Sequence, residues 1–145
     1  MIKASRLPIL ISALMAGAAS QASADLVALQ YHHVSDSTPS STSTGVSLFE
    51  GQLDMIDDLG LEVVPLQSGT ADALDGKLDD KSQIAITFDD AYESVYETAA
   101  PMLEERGYPY TIFVNTDAVG RRGYMTWAQL EELRDNSGVT IANHS

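Results

Sequence analysis

The chain has 145 residues, no cysteine, and 21 acidic against 8 basic side chains, for a formal net charge of −13. That length allows one domain or part of one, and the lack of cysteine excludes disulfides, thiolate metal sites, a cysteine nucleophile and lipoprotein acylation, leaving any metal to His, Asp or Glu. The acidity excludes general attraction to a polyanion, so no nucleic acid partner is expected and a neutral or cationic polymer fits better.

The first residues read as a leader. Lys3 and Arg6 make a short basic region, residues 7–19 are mostly apolar, and Ala22-Ser23-Ala24 has the small-x-small form of a cleavage site. Residues 1–24 are therefore predicted to be a secretory signal peptide, with residues 25–145 following as one unit. The apolar run is shorter than the roughly 20 residues that span a bilayer, so no stable membrane anchor is expected. The implied location is outside the cytoplasm, periplasmic or extracellular. Loss of Lys3 and Arg6 with the leader takes the net charge from −13 to −15.

Leu26–Tyr31 reads as a short buried strand, and residues 35–45, rich in Ser, Thr and Pro, as a surface loop. Ser47 and Glu50 have capping-box spacing ahead of Phe49, Leu53, Ile56 and Leu59, which recur at helical intervals up to Gly60. Residues 61–66 are strand-like, and residues 72–80 are acidic, predicting a short helix and a loop. Ile84-Ala85-Ile86-Thr87-Phe88 is a strand that runs into Asp89 and Asp90. A helical pattern follows through Tyr92, Val95, Tyr96, Ala99, Met102 and Leu103. Pro101 must kink or divide it, and Gly107 ends it. Tyr110–Val114 is another buried strand. Thr126 and Gln129 again have capping-box spacing, ahead of Leu130 and Leu133, and residues 139–142 form the last strand before Asn143-His144-Ser145. Five strands alternating with helices predict an α/β fold with parallel strands joined by crossovers. A closed eight-stranded barrel takes about 250 residues, so the pattern fits either a small open sheet or part of a larger barrel.

Two adjacent aspartates at a strand end carry chemical meaning. Alternation sends neighbouring side chains to opposite faces, but the constraint relaxes where strand gives way to loop, and both carboxylates can then face one cleft. In parallel sheets that cleft, beyond the strand carboxyl ends, is where ligands bind. Paired carboxylates repel and favour a cation beside them, so one could bind metal while the other takes a proton. The competing structural role is Asp90 as N-cap of a helix starting near Ala91. His144, at another strand end, falls on the same rim; Asp with His suits zinc or another transition metal, though catalytic zinc usually has three protein ligands. A further ligand would come from beyond Ser145, or from His32 or His33. Those two follow the first strand, and alternation lets one of them face the cleft, where a neutral imidazole suits general acid work. Tyr124 and Trp127 could stack on sugar rings, with core packing the favoured reading for Trp127.

Thr87-Phe88-Asp89-Asp90, Thr111-Ile112-Phe113-Val114, Gly123-Tyr124-Met125-Thr126-Trp127-Ala128-Gln129-Leu130 and His144-Ser145, in this order, resemble the polysaccharide deacetylase (NodB-homology, carbohydrate esterase) family along residues 26–145. The opening Leu29-Gln30-Tyr31-His32-His33-Val34 is similar to the branch that deacetylates poly-β-1,6-N-acetylglucosamine, in which the barrel is circularly permuted and the Tyr-His strand comes first. The resemblance implies a partial (β/α) barrel of that type. It also implies a hydrolase that removes N-acetyl groups from an N-acetylglucosamine polysaccharide, with Asp89 as general base and His32, rather than His33, as the catalytic histidine. Asp90 and His144 would be ligands of a divalent metal, usually Zn2+.

A second metal histidine, expected a few residues after His144, and the later family motifs do not occur in these 145 residues. The chain is accordingly expected to be a truncated piece, unstable or inactive alone. Two other readings remain open at this level: an inactive glycan-binding fragment, and a phosphoryl-transfer enzyme using the aspartate pair.

Overall fold

The structure, a computed structural model, describes residues 24–78 and 82–145. The signal-peptide reading lies outside the described residues except for Ala24. No helix among the described residues is long and apolar enough to cross a membrane.

Five strands form a parallel sheet. β1 (Leu26–Tyr31) lies along the whole of β5 (Gln83–Asp89), from Leu26 opposite Gln83 to Tyr31 opposite Phe88. On the other side of β5, β4 (Glu62–Val63) pairs with Gln83 and Ile84, and β6 (Tyr110–Val114) pairs from Ile86 to Asp89. β7 (Val139–Asn143) pairs with β6 and ends the order β1-β5-β6-β7. Because all are parallel, Tyr31, Asp89, Val114 and Asn143 end their strands at one rim. β2 (His33–Val34) and β3 (Ser43–Thr44) make a separate parallel pair, so the Ser/Thr-rich segment read as loop returns at its end to hold the residues after β1. β1 is an edge strand with only Tyr31 buried, not the buried strand its apolar sequence suggests.

The helices divide between the two faces of the sheet. α1 (Val46–Asp58) inserts Phe49, Leu53 and Ile56. Its N-cap is Gly45 without a side-chain cap, not the Ser47–Glu50 box; instead the Asp36 carboxylate accepts from Val46 N at 3.0 Å. The strand expected over residues 61–66 is shortened to β4, since Pro65 starts α2 (Leu66–Leu74), ahead of the helix read from residues 72–80. Proline suits a helix start, where its missing N–H is not needed. After β5 the chain forms a π-helical stretch (Val95–Ala99) that passes into α3 (Ala100–Glu105), with Pro101 in the first turn of α3. The proline cannot supply an interior N–H, and the widened turn ahead of it accommodates that break without ending the helix. α4 (Trp127–Arg134) has the capping box its sequence predicts: Thr126 Oγ1 accepts from Gln129 N, and Thr126 N donates to Gln129 Oε1. Of these helices α1, α3 and α4 cover one face of the sheet, while residues of α2 meet Thr111 and Phe113 on the other.

Between helices and sheet lies one hydrophobic cluster built on aromatic rings. Phe88 meets Tyr31, Phe49 and Tyr110 with ring centroids 5.6, 6.1 and 5.9 Å apart, and Tyr31 meets Phe49 edge-on at 5.1 Å. Offset and edge-to-face pairs of this kind add about 0.5–1.5 kcal/mol each beyond their burial. At the surface, Arg106 closes α3 onto α1 by donating from Nη2 to Asp54 Oδ1 at 2.7 Å.

Candidate active site at the strand rim

The site is assembled by four strand ends. Asp89 is the last residue of β5 and is buried. Its Oδ2 accepts a short hydrogen bond from Gln30 Nε2 of β1, and lies 3.8 Å from His32 Nε2 and 3.6 Å from His144 Nε2. His144 Nε2 is also 4.0 Å from Asp90 Oδ1. Backbone pairing fixes His144, whose N–H donates to Val114 O at 3.0 Å. Asp89, Phe113, Asn143, His144 and Ser145 line a cleft of about 290 Å³ at this rim. A roomier cavity of about 380 Å³ sits between α3 and α4, walled by Glu97, Glu104 and Glu132, but it is remote from the histidines and the aspartate pair.

Both aspartates approach His144 because the backbone turns between them. Asp90 and the fully buried Ala91 have φ of 68° and 57°, the left-handed region, which costs non-glycine residues roughly 1–2 kcal/mol each. A continuing strand would aim Asp90 at the face opposite Asp89; the left-handed turn re-aims it. No helix starts at Ala91, so the N-cap alternative for Asp90 does not describe this turn: Tyr92 pairs instead with Tyr124 in an antiparallel bridge.

The two histidines after β1 diverge. His32 faces Asp89. His33 stacks on Tyr92, centroids 3.7 Å apart, with Nδ1 3.3 Å from Ser94 Oγ. Burial, then the neighbouring His32, lower the His33 pKa from its ordinary value, with Asp90 opposing. Burial, and then the Tyr124 and Asp90 side chains, hold the Tyr92 phenol protonated well above its usual range. Tyr124 stacks on Tyr92 at 4.7 Å. Trp127, expected in the core, is 57% exposed at the start of α4. Gln30 was not singled out from the sequence; a lone amide one residue before the end of an otherwise apolar strand, in register with Thr87, is the signal that could have found it.

A carboxylate oxygen and an imidazole nitrogen are donors that divalent transition ions accept, at about 2.0–2.2 Å each. The 4.0 Å gap between Asp90 Oδ1 and His144 Nε2 is within what two such bonds can bridge. The pair therefore fits a metal by donor type and spacing. Among the described residues no group of three or more His, Cys, Asp or Glu side chains is arranged to hold one.

Residues 76–145 match the family model described as polysaccharide deacetylase. The fold superposes on IcaB from Ammonifex degensii with a TM-score of 0.73 and 31% identity, covering 82% of this chain and 52% of that one. It also superposes on a de-N-acetylase from Aggregatibacter actinomycetemcomitans, with a TM-score of 0.71 and 24% identity, covering 82% and 54%; that likeness bears on the fold alone. In sequence the chain is 27% identical to YxkH of Bacillus subtilis (strain 168) over 122 residues, 84% of this chain and 43% of that protein. The chain thus spans about half the length of the relatives it matches. The α/β fold with its parallel sheet, expected as part of a larger barrel, is that of these solved structures over the part covered.

Proposed function

We propose that this chain is of the polysaccharide deacetylase family and contributes the base, acid and part of the metal site of a hydrolase that removes N-acetyl groups from an N-acetylglucosamine polysaccharide. The observation that carries this reading is the convergence of His32, Asp89, Asp90 and His144 at one rim of a parallel sheet.

Asp89 is the general base. Its buried carboxylate, oriented by Gln30 Nε2, takes a proton from the water that attacks the acetamide carbon. His32 Nε2, 3.8 Å from that carboxylate, delivers a proton to the departing nitrogen as the C–N bond breaks, so the products are acetate and a free amine on the sugar. Asp90 and His144 would hold a divalent ion, best matched by Zn2+, which when bound supplies Lewis-acid polarisation of water and carbonyl. Such a partial donor set is completed by a third protein ligand in catalytic zinc sites. The acidic surface suits a neutral polymer that becomes cationic as it is deacetylated. The leader-like residues 1–24 support export to the periplasm or beyond.

The test is acetate release from N-acetylglucosamine oligomers by the protein carrying this chain, before and after chelation. The reading expects release, loss on chelation and recovery with Zn2+. Hydrolysis of a phosphate ester without acetate release would contradict it, as would oligosaccharide binding that neither chelator nor Asp90→Ala disturbs in a protein without turnover.

A further inference from the structure

Asp90 and Ala91 form two consecutive non-glycine residues in the left-handed region. Such conformations persist where the surroundings over-determine them, and here three sets of contacts converge on the turn. Met125 N donates to Ala91 O at 2.9 Å, and Glu93 N donates to Gly123 O at 3.0 Å, on either side of the Tyr92–Tyr124 bridge. The Tyr92 ring stacks against His33 at 3.7 Å and 27°, and against Tyr124 at 4.7 Å and 30°. The far end of this ladder is anchored in turn: His33 N donates to Thr42 O at 3.1 Å, and Ser94 Oγ lies 3.3 Å from His33 Nδ1 and accepts from Val34 N at 3.3 Å.

We propose that the His33–Tyr92–Tyr124 ladder is a positioning device for Asp90, holding the left-handed turn that brings the second carboxylate into the cleft beside the first. Strand alternation would otherwise separate Asp89 and Asp90 across the sheet. The ladder joins three parts of the chain: the segment after β1, the turn after β5 and the loop before α4. It therefore makes the geometry of the aspartate pair depend on residues that touch no reacting atom. It also gives His33 a task distinct from that of His32. For the ion that Asp90 holds, the proposal rests on the deacetylase reading; for the turn itself it does not.

Four variants test it: Tyr92→Ala, Tyr92→Phe, Ala91→Gly, and Tyr92→Ala combined with Ala91→Gly. Glycine adopts the left-handed region without a Cβ penalty, so the double variant keeps the strain at Asp90 alone and depends less on the ladder. Crystal structures read the turn, and Zn2+ titration reads the site. In Tyr92→Ala, Asp90 is expected to leave the left-handed region, its carboxylate to move away from His144, and Zn2+ affinity to fall at least tenfold. Tyr92→Phe, which keeps the ring, should bind within about twofold of the parent, and the double variant should regain part of the lost affinity. A Tyr92→Ala protein with a lowered melting temperature but an unmoved Asp90 and unchanged affinity would overturn the proposal, because ordinary packing predicts that result. So would a double variant no closer to the parent in turn geometry or affinity than Tyr92→Ala alone. If the parent binds no Zn2+ while Asp90 still moves in Tyr92→Ala, the metal reading fails and the positioning role stands. Should Tyr92→Ala not fold, Tyr124→Ala, which removes the other end of the stack, is read in the same way.

Discussion

Along β5, Ile84, Ile86 and Phe88 enter the hydrophobic cluster under the helices, whereas Ala85, Thr87 and Asp89 alternate to the other face. β6 divides likewise: Tyr110, Ile112 and Val114 join the cluster under α1, α3 and α4, while Thr111 and Phe113 face a cleft shared with Thr140 and Ala142 of β7 and with Leu66, Gln67 and Thr70 of α2. On the helix side a residue is held by many interchangeable neighbours, as Phe88 is by three other rings. On the other side it is held by single named partners: Thr87 Oγ1 donates to Leu29 O at 3.0 Å, and Asp89 accepts from Gln30. The first face supplies stability and tolerates exchange of one apolar shape for another. The second supplies chemistry and depends on particular atoms.

Substitutions can break or sharpen that contrast. The largest loss of stability is expected from Phe88→Ala, about 3–5 kcal/mol by denaturant unfolding, since it empties the centre of the ring cluster. A loss below about 1 kcal/mol would mean the cluster does not organise the helix side. Thr87→Val keeps the shape and removes one hydrogen bond; about 1 kcal/mol is expected, and a loss as large as that of Phe88→Ala would erase the distinction between the faces. The smallest effect is expected from Tyr110→Phe. The Tyr110 hydroxyl is buried with no hydrogen-bond partner among the described residues, and burial raises its pKa far above normal. Removing an unsatisfied buried donor should leave stability within about 0.5 kcal/mol of the parent or raise it. A clear destabilisation would show that the hydroxyl has a partner.

The same contrast explains what the sequence could reveal. Helix-side positions obey periodicity, so β5, β6 and the buried stripe Phe49, Leu53 and Ile56 of α1 were legible residue by residue. The capping box at Thr126 was legible because its two partners are three residues apart. The Ser47–Glu50 box was misread because a distant carboxylate, Asp36, meets the helix start instead. The edge position of β1 and the exposure of Trp127 are set by what lies beside them in space, which no local pattern encodes. At the rim, the aspartate pair and His144 were visible as strand-end residues, and the choice between His32 and His33 came from family resemblance. Gln30 and the left-handed turn were not visible. Gln30 reaches Asp89 across 59 positions, and nothing in Asp90 or Ala91 announces a positive φ, since neither is glycine.

The central claim is a division of labour between the two carboxylates at the end of β5, with Asp89 as base and Asp90 as metal ligand. It is tested most directly by measuring bound metal and acetate release together in Asp89→Asn and Asp90→Asn. The account predicts that Asp89→Asn loses roughly a thousandfold in turnover, as expected for a general base, with metal content near that of the parent, and that Asp90→Asn loses the metal. Metal loss in Asp89→Asn with metal retained in Asp90→Asn would show that the two roles are the other way round.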